Sequence, residues 1–132
     1  MTDFQQLMTQ ATATTGHFGH REHVHLTWLA VRDHGLSGAI PLVSNGIQQT
    51  ARYAGAPQKY NATVSRAWVE LVAHHVHHDG DADFDTFTAR NPALLDKRLL
   101  VRFYHPATLA TARARAGWVP PDRAPFPWKT LT

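Results

Sequence analysis

Cysteine is absent from the 132-residue chain. Disulfides, thiolate zinc sites and cysteine nucleophiles are excluded together. Long apolar runs are missing as well. Nothing approaches the ~20 residues of a membrane span, so no membrane partner is expected. The opening Met-Thr-Asp-Phe-Gln-Gln carries neither a basic region nor an apolar signal core, which makes a cytoplasmic protein the expectation. Charge of one sign is scarce. Thirteen Lys plus Arg stand against ten Asp plus Glu, a formal net charge of +3. The basic residues are scattered, apart from local groups at Lys97, Arg98 and Arg102 and at Arg113 and Arg115. Nucleic-acid surfaces carry a denser stripe or a recognisable module, so no nucleic-acid partner is expected. There is also no phosphate loop, no dinucleotide fingerprint, no serine in a nucleophile turn and no heptad zipper.

Hydrophobic residues make up 43% and charged residues 17% of the chain, a globular composition of a length that fits one domain over residues 1–132. The anomaly is ten histidines. The most informative stretch runs from Phe18 to His34. Read as an α-helix it separates into two faces. Arg21, Glu22, His25, Arg32 and Asp33 make a solvated face. Val24, Ala30 and Val31 lie opposite, and among them sit His20, His23 and Thr27. Two histidines thus occupy positions where a core-facing helix normally places leucine.

A short helix is expected over residues 3–12, capped by Thr2. Gly35 suits the left-handed position that ends the histidine-bearing helix. Ser37 then caps a second long helix reaching Tyr53, with Pro41 in its first turn. A third helix spans residues 61–78, with Val64, Ala67, Trp68, Leu71 and Val72 buried and Thr63, Arg66, Glu70, His74 and His77 outside. Asp79-Gly80-Asp81 is a turn. Phe84 and Phe87 mark a short helix stopped by Asn91-Pro92. Further helices are expected across Leu94 to Phe103 and from Pro106 to Ala116, with Gly117 after the latter. The proline-rich end, with Trp118, Phe126 and Trp128, reads as an extended strap carrying aromatics over the bundle. No period-2 strand is convincing. The expected architecture is all-α: a compact helical bundle of three longer helices, short C-terminal helices and an extended tail.

Four pieces carry a resemblance: Phe18-Gly-His20-Arg-Glu-His23-Val, Tyr60-Asn61-Ala-Thr63-Val-Ser65-Arg-Ala-Trp68, Asn91-Pro92-Ala-Leu-Leu95 and Pro121-Asp122-Arg-Ala-Pro125. Together they resemble the motifs of a group of small bacterial helical proteins of unestablished function. That group has a third histidine where this chain has Asn61, and leucine where it has Val24. The resemblance implies the fold and the place of a site.

His-x-x-His on one helical face is half of a metal site. Zinc, iron, nickel or copper would suit imidazole, with His20 and His23 as ligands and His75, His78 or His105 completing the shell. The alternative is a hydrogen-bonded pair of core histidines. Glu22-x-x-His25 mimics the Glu-x-x-His of di-iron bundles, but its place on the solvated face argues against that role. His74-His75-Val-His77-His78 reads as a polar helix end, where histidine suits the C-terminal dipole. The functional expectation is a small-molecule enzyme, acid–base or metal-assisted, with its site between the first long helix and the start of the third. His20, His23, Tyr60 and Ser65 are the candidate catalytic residues, and Thr27, Asn61, Thr63 and Trp68 the candidate substrate-binding ones. A non-catalytic ligand-binding or protein-interaction module is the alternative. A monomer or homodimer with a small-molecule ligand is expected.

Overall fold

A computed structural model describes residues 3–78 and 82–128, except for the side chains of His77 and His78. Thr2 and the Asp79-Gly80-Asp81 turn lie outside the described residues, as does any ligand role for His78. Among the described residues the fold is all-α with no strand.

Helix α1 (Phe4–Thr12) is capped by Asp3 and not by Thr2. The Asp3 carboxylate accepts from the Gln6 N–H at 2.9 Å, and the Gln6 side chain accepts from the Asp3 N–H at 2.9 Å. This reciprocal box satisfies two end donors at once, which a lone threonine hydroxyl cannot do. Helix α2 (His20–Tyr53) holds both long helices that the sequence separates, with a break at Gly35. There φ is +71° and ψ 176°. The positive φ agrees with a helix-ending glycine, but ψ is extended and not left-handed, in a region essentially confined to glycine. The two limbs of α2 are residues 20–34 and 36–53.

Helix α3 (Ala62–His78) starts at Asn61, whose side-chain oxygen accepts from the Val64 N–H at 3.0 Å. Helix α4 (Phe84–Arg90) is capped by Asp83. The helix expected across Leu94 to Phe103 is instead two 3₁₀ turns, Pro92–Leu95 and Lys97–Arg102. Asp96 divides them: its backbone is extended and its carboxylate accepts from the Arg98 N–H at 2.9 Å. Local capping competes here with helix propagation. Likewise the run from Pro106 to Ala116 splits into α5 (Pro106–Leu109) and α6 (Ala112–Ala116), because the Thr111 hydroxyl caps the second piece. Gly117 is extended, so it is not a left-handed cap.

Helix α2 packs along α3, α1 lies on α2, and α6 lies on α3. One core joins them, built on Leu7, Val24, Leu26, Val43, Val69, Leu71 and Val72 among others. Burying each such side chain contributes about 1.5–3 kcal/mol before entropy is charged. Gly46 sets the α1–α2 approach, since a Cβ there would overlap the Phe4 ring.

The C-terminal segment, residues 118–128, is the strap that the prolines suggest. Thr63 anchors it by donating to the Gly117 carbonyl at 2.6 Å and accepting from the Val119 N–H at 3.0 Å. Tyr104 donates to the Val119 carbonyl at 2.6 Å. Phe126 stacks on Trp128 at 4.7 Å. The strap corrects one expectation about α3. Thr63 and Glu70, placed on the outer face by periodicity, are buried. The Glu70 carboxylate accepts from Arg66 Nε at 3.0 Å and lies 3.4 Å from Trp128 Nε1. Arg66 in turn lies 4.3 Å from the centre of the Trp118 ring. A charge is buried there because a cation and an indole N–H come with it.

Candidate functional site

The first limb of α2 is buried on more than one side. Val24, Thr27, Ala30 and Val31 face the core as its periodicity implies, and Leu26 and Trp28 are buried too. The face read as solvated is covered at its start. Glu22 is buried, accepting from the Gly19 N–H at 2.8 Å and lying 3.6 Å from His17 Nε2. Burial raises its pKa, but hydrogen bonds from Gly19, Thr15 and its own amide, with His17 nearby, outweigh burial and leave it below the usual carboxylate range. His25 stacks on Phe84 with ring centres 4.0 Å apart. Arg21 pairs with Asp85 at 2.8 Å. The reason is tertiary: the turn before α2 and the start of α4 fold over a face that the sequence marks as polar.

At the N-terminus of α2 three separate parts of the chain meet. His20 Nε2 donates to the Leu94 carbonyl at 2.9 Å. A carbonyl only accepts, so this bond fixes the proton on Nε2 and leaves Nδ1 as the lone-pair nitrogen of the neutral ring. Trp68 from α3 meets the His20 ring edge-on at 4.6 Å. His23 lies 6.4 Å from His20, ring centre to ring centre, and 6.0 Å from Phe18. Phe18 and Leu95 are among the few large apolar side chains left exposed, at 39% and 36%.

His23 Nε2 is the one side-chain nitrogen or oxygen among the described residues that is buried without a hydrogen-bond partner. Burial first, and the neighbouring His20 second, push the His23 pKa from 6.5 down to about 4. The ring is therefore neutral at pH 7. An unpaired N–H inside a protein costs more than an unpaired lone pair. That places the His23 proton on Nδ1, outside the buried set. With the protons so placed, the lone pair of His20 is on Nδ1 and the N–H of His23 is on Nδ1.

The other expected site residues do different work. Asn61 caps α3 and donates to the Leu109 carbonyl at 2.7 Å. Thr63 holds the strap. Ser65 is buried 3.5 Å from Ser44 Oγ. The Tyr60 amide donates to the Pro57 carbonyl at 3.2 Å, closing the turn before α3. Thr27 donates back to the His23 carbonyl at 2.8 Å. Of the eight expected residues, ring contacts join His20, His23 and Trp68, and Thr27 meets only the His23 backbone. The Leu94 carbonyl was not anticipated, since a backbone acceptor leaves no mark in residue identity.

As for metal, no three His, Asp or Glu among the described residues are grouped to hold an ion. Two imidazoles sharing a tetrahedral ion at about 2.0–2.1 Å have ring centres roughly 5 Å apart. His20 and His23 stand at 6.4 Å. His75 donates Nδ1–H to the Leu71 carbonyl at 2.8 Å within α3, and the His105 amide donates to Asp122 at 3.0 Å. Compared with protein-family models, curated proteins and solved structures, the chain matches none.

Proposed function

We propose that the N-terminal end of α2 is the site of a small-molecule enzyme whose chemistry is metal-free proton transfer. One observation carries this reading: two imidazoles lie 6.4 Å apart, one oriented by a backbone carbonyl and the other with a buried Nε2 that has no partner among the described residues. His20 Nδ1 is the base. Protonation there yields an imidazolium whose Nε2–H still donates to the Leu94 carbonyl, a bond that strengthens as charge develops. His23 is too weak a base for that task at neutral pH, because its pKa lies near 4. Its role is the complementary one, a neutral N–H donor that polarises a substrate carbonyl or hydroxyl. Trp68 walls the base, and the exposed Phe18 ring lies 6.0 Å from His23.

The test is incubation of the untagged protein with metabolite extracts of its source cell, read by untargeted mass spectrometry, beside His20→Gln and His23→Phe variants shown to be folded. Turnover that disappears with His20→Gln and falls at least ~100-fold with His23→Phe supports the reading. Turnover indifferent to His20→Gln sinks it. Saturable binding of a metabolite without conversion replaces it with a ligand-binding module at the same place.

A further inference from the structure

A cavity of about 340 Å³ opens between α3, the Pro92–Leu95 turn and the strap. Its volume lies in the range of small-ligand sites. Its walls are one-sided in charge. Arg90, Arg102, His74 and His75 line it, and no Asp or Glu among the described residues does. Arg102 is exposed at the end of its 3₁₀ turn and makes no hydrogen bond or ion pair among the described residues. The neighbouring arginines contrast with it: Arg98 is paired with Asp96 at 3.1 Å, and Arg123 donates to the Val101 carbonyl at 3.0 Å.

The remaining walls are apolar and partly aromatic. Phe103 and Trp128 both face the cavity. Trp128 is held on two sides, stacked on Phe126 at 4.7 Å and on His74 at 4.6 Å. A cavity with the Arg102 guanidinium left over, no Asp or Glu among its described lining and a fixed indole wall selects a flat molecule with a negative head. We propose that this cavity binds a small organic anion, its carboxylate or phosphate on Arg102 and its ring against Trp128 and Phe103. Guanidinium recognises both heads by paired N–H donors. The cavity shares the Leu94 segment with His20, but its anion-binding group, Arg102, is separate from His20 and His23, so it does not depend on the proton-transfer reading.

The experiment uses the full chain and four probes of one shape: benzoate, phenyl phosphate, benzyl alcohol and benzylamine. Each is titrated by calorimetry and by indole fluorescence. At least one of the two anions should saturate with a Kd of about 1 mM or tighter, roughly tenfold or more below the alcohol and the amine. Which anion binds better identifies the head group. Arg102→Gln should weaken that anion roughly tenfold with the circular dichroism spectrum unchanged, as expected for loss of a charge-assisted pair. Arg98→Gln, at a neighbouring arginine outside the cavity lining, should leave the affinity as it was. Equal binding of the alcohol, no saturation by either anion, an Arg102→Gln variant of unchanged affinity, or loss of binding in Arg98→Gln would each overturn the proposal.

Discussion

Replacing His23 with phenylalanine should make the protein less sensitive to acid. In the folded chain the ring stays neutral until the pH approaches about 4, whereas its ordinary value is 6.5. Between those values the unfolded chain binds a proton that the folded chain does not. Stability therefore rises with pH across this window. It is complete above pH 6.5, declines as the pH falls from there, and has lost the whole contribution near pH 4 and below. At ~1.4 kcal/mol for each pH unit, the gap is worth roughly 3 kcal/mol. That is a large share of the 5–15 kcal/mol typical of a domain. Phenylalanine fills the same space and has no proton to bind. It also removes the unpaired Nε2, so the variant should gain about 1 kcal/mol at pH 7. The assay is urea unfolding of both proteins at pH 7, 6, 5 and 4. His25, whose pKa is also lowered by burial and Arg21, is present in both and cancels in the difference. The expected result is a difference between the two proteins that widens by roughly 3 kcal/mol from pH 7 to pH 4. Parallel pH profiles would show that water reaches the His23 ring in the folded state, and the burial argument would fail.

Two further outcomes are expected. Gly46→Ala should destabilise the protein by about 1–3 kcal/mol, because the added methyl overlaps the Phe4 ring and α1 must shift off α2; equal unfolding midpoints in a thermal melt would refute this. The untagged protein should carry well under one transition-metal equivalent by elemental analysis, because His20 and His23 stand too far apart for a tetrahedral ion and no third ligand among the described residues is grouped with them; full occupancy that vanishes in His20→Ala would reverse that expectation.

What could be read from residue order is what depends on neighbours in the chain. Helical periodicity placed Val24, Thr27, Ala30 and Val31 inside, and they are buried. Glycine, proline and short polar residues mark breaks through backbone sterics and local hydrogen bonds, so Gly35, Asn61 and the proline-rich strap were all legible. The inward His20 and His23 were legible for the same reason. Where two local rules competed, as at Asp96 and Thr111, propensity alone chose a continuous helix and capping won. Tertiary structure alone decided which outer faces meet another part of the chain. Glu22 and Glu70 have the periodicity of surface residues, yet one is enclosed near the start of α2 and the other lies under the strap. Asn61, Thr63 and Ser65 carry side chains suited to a binding site but spend them on Leu109, Gly117 and Ser44. The partner that orients His20 is a carbonyl 74 residues away. Every residue owns such a group, so no sequence pattern distinguishes the one that the folded chain brings within reach.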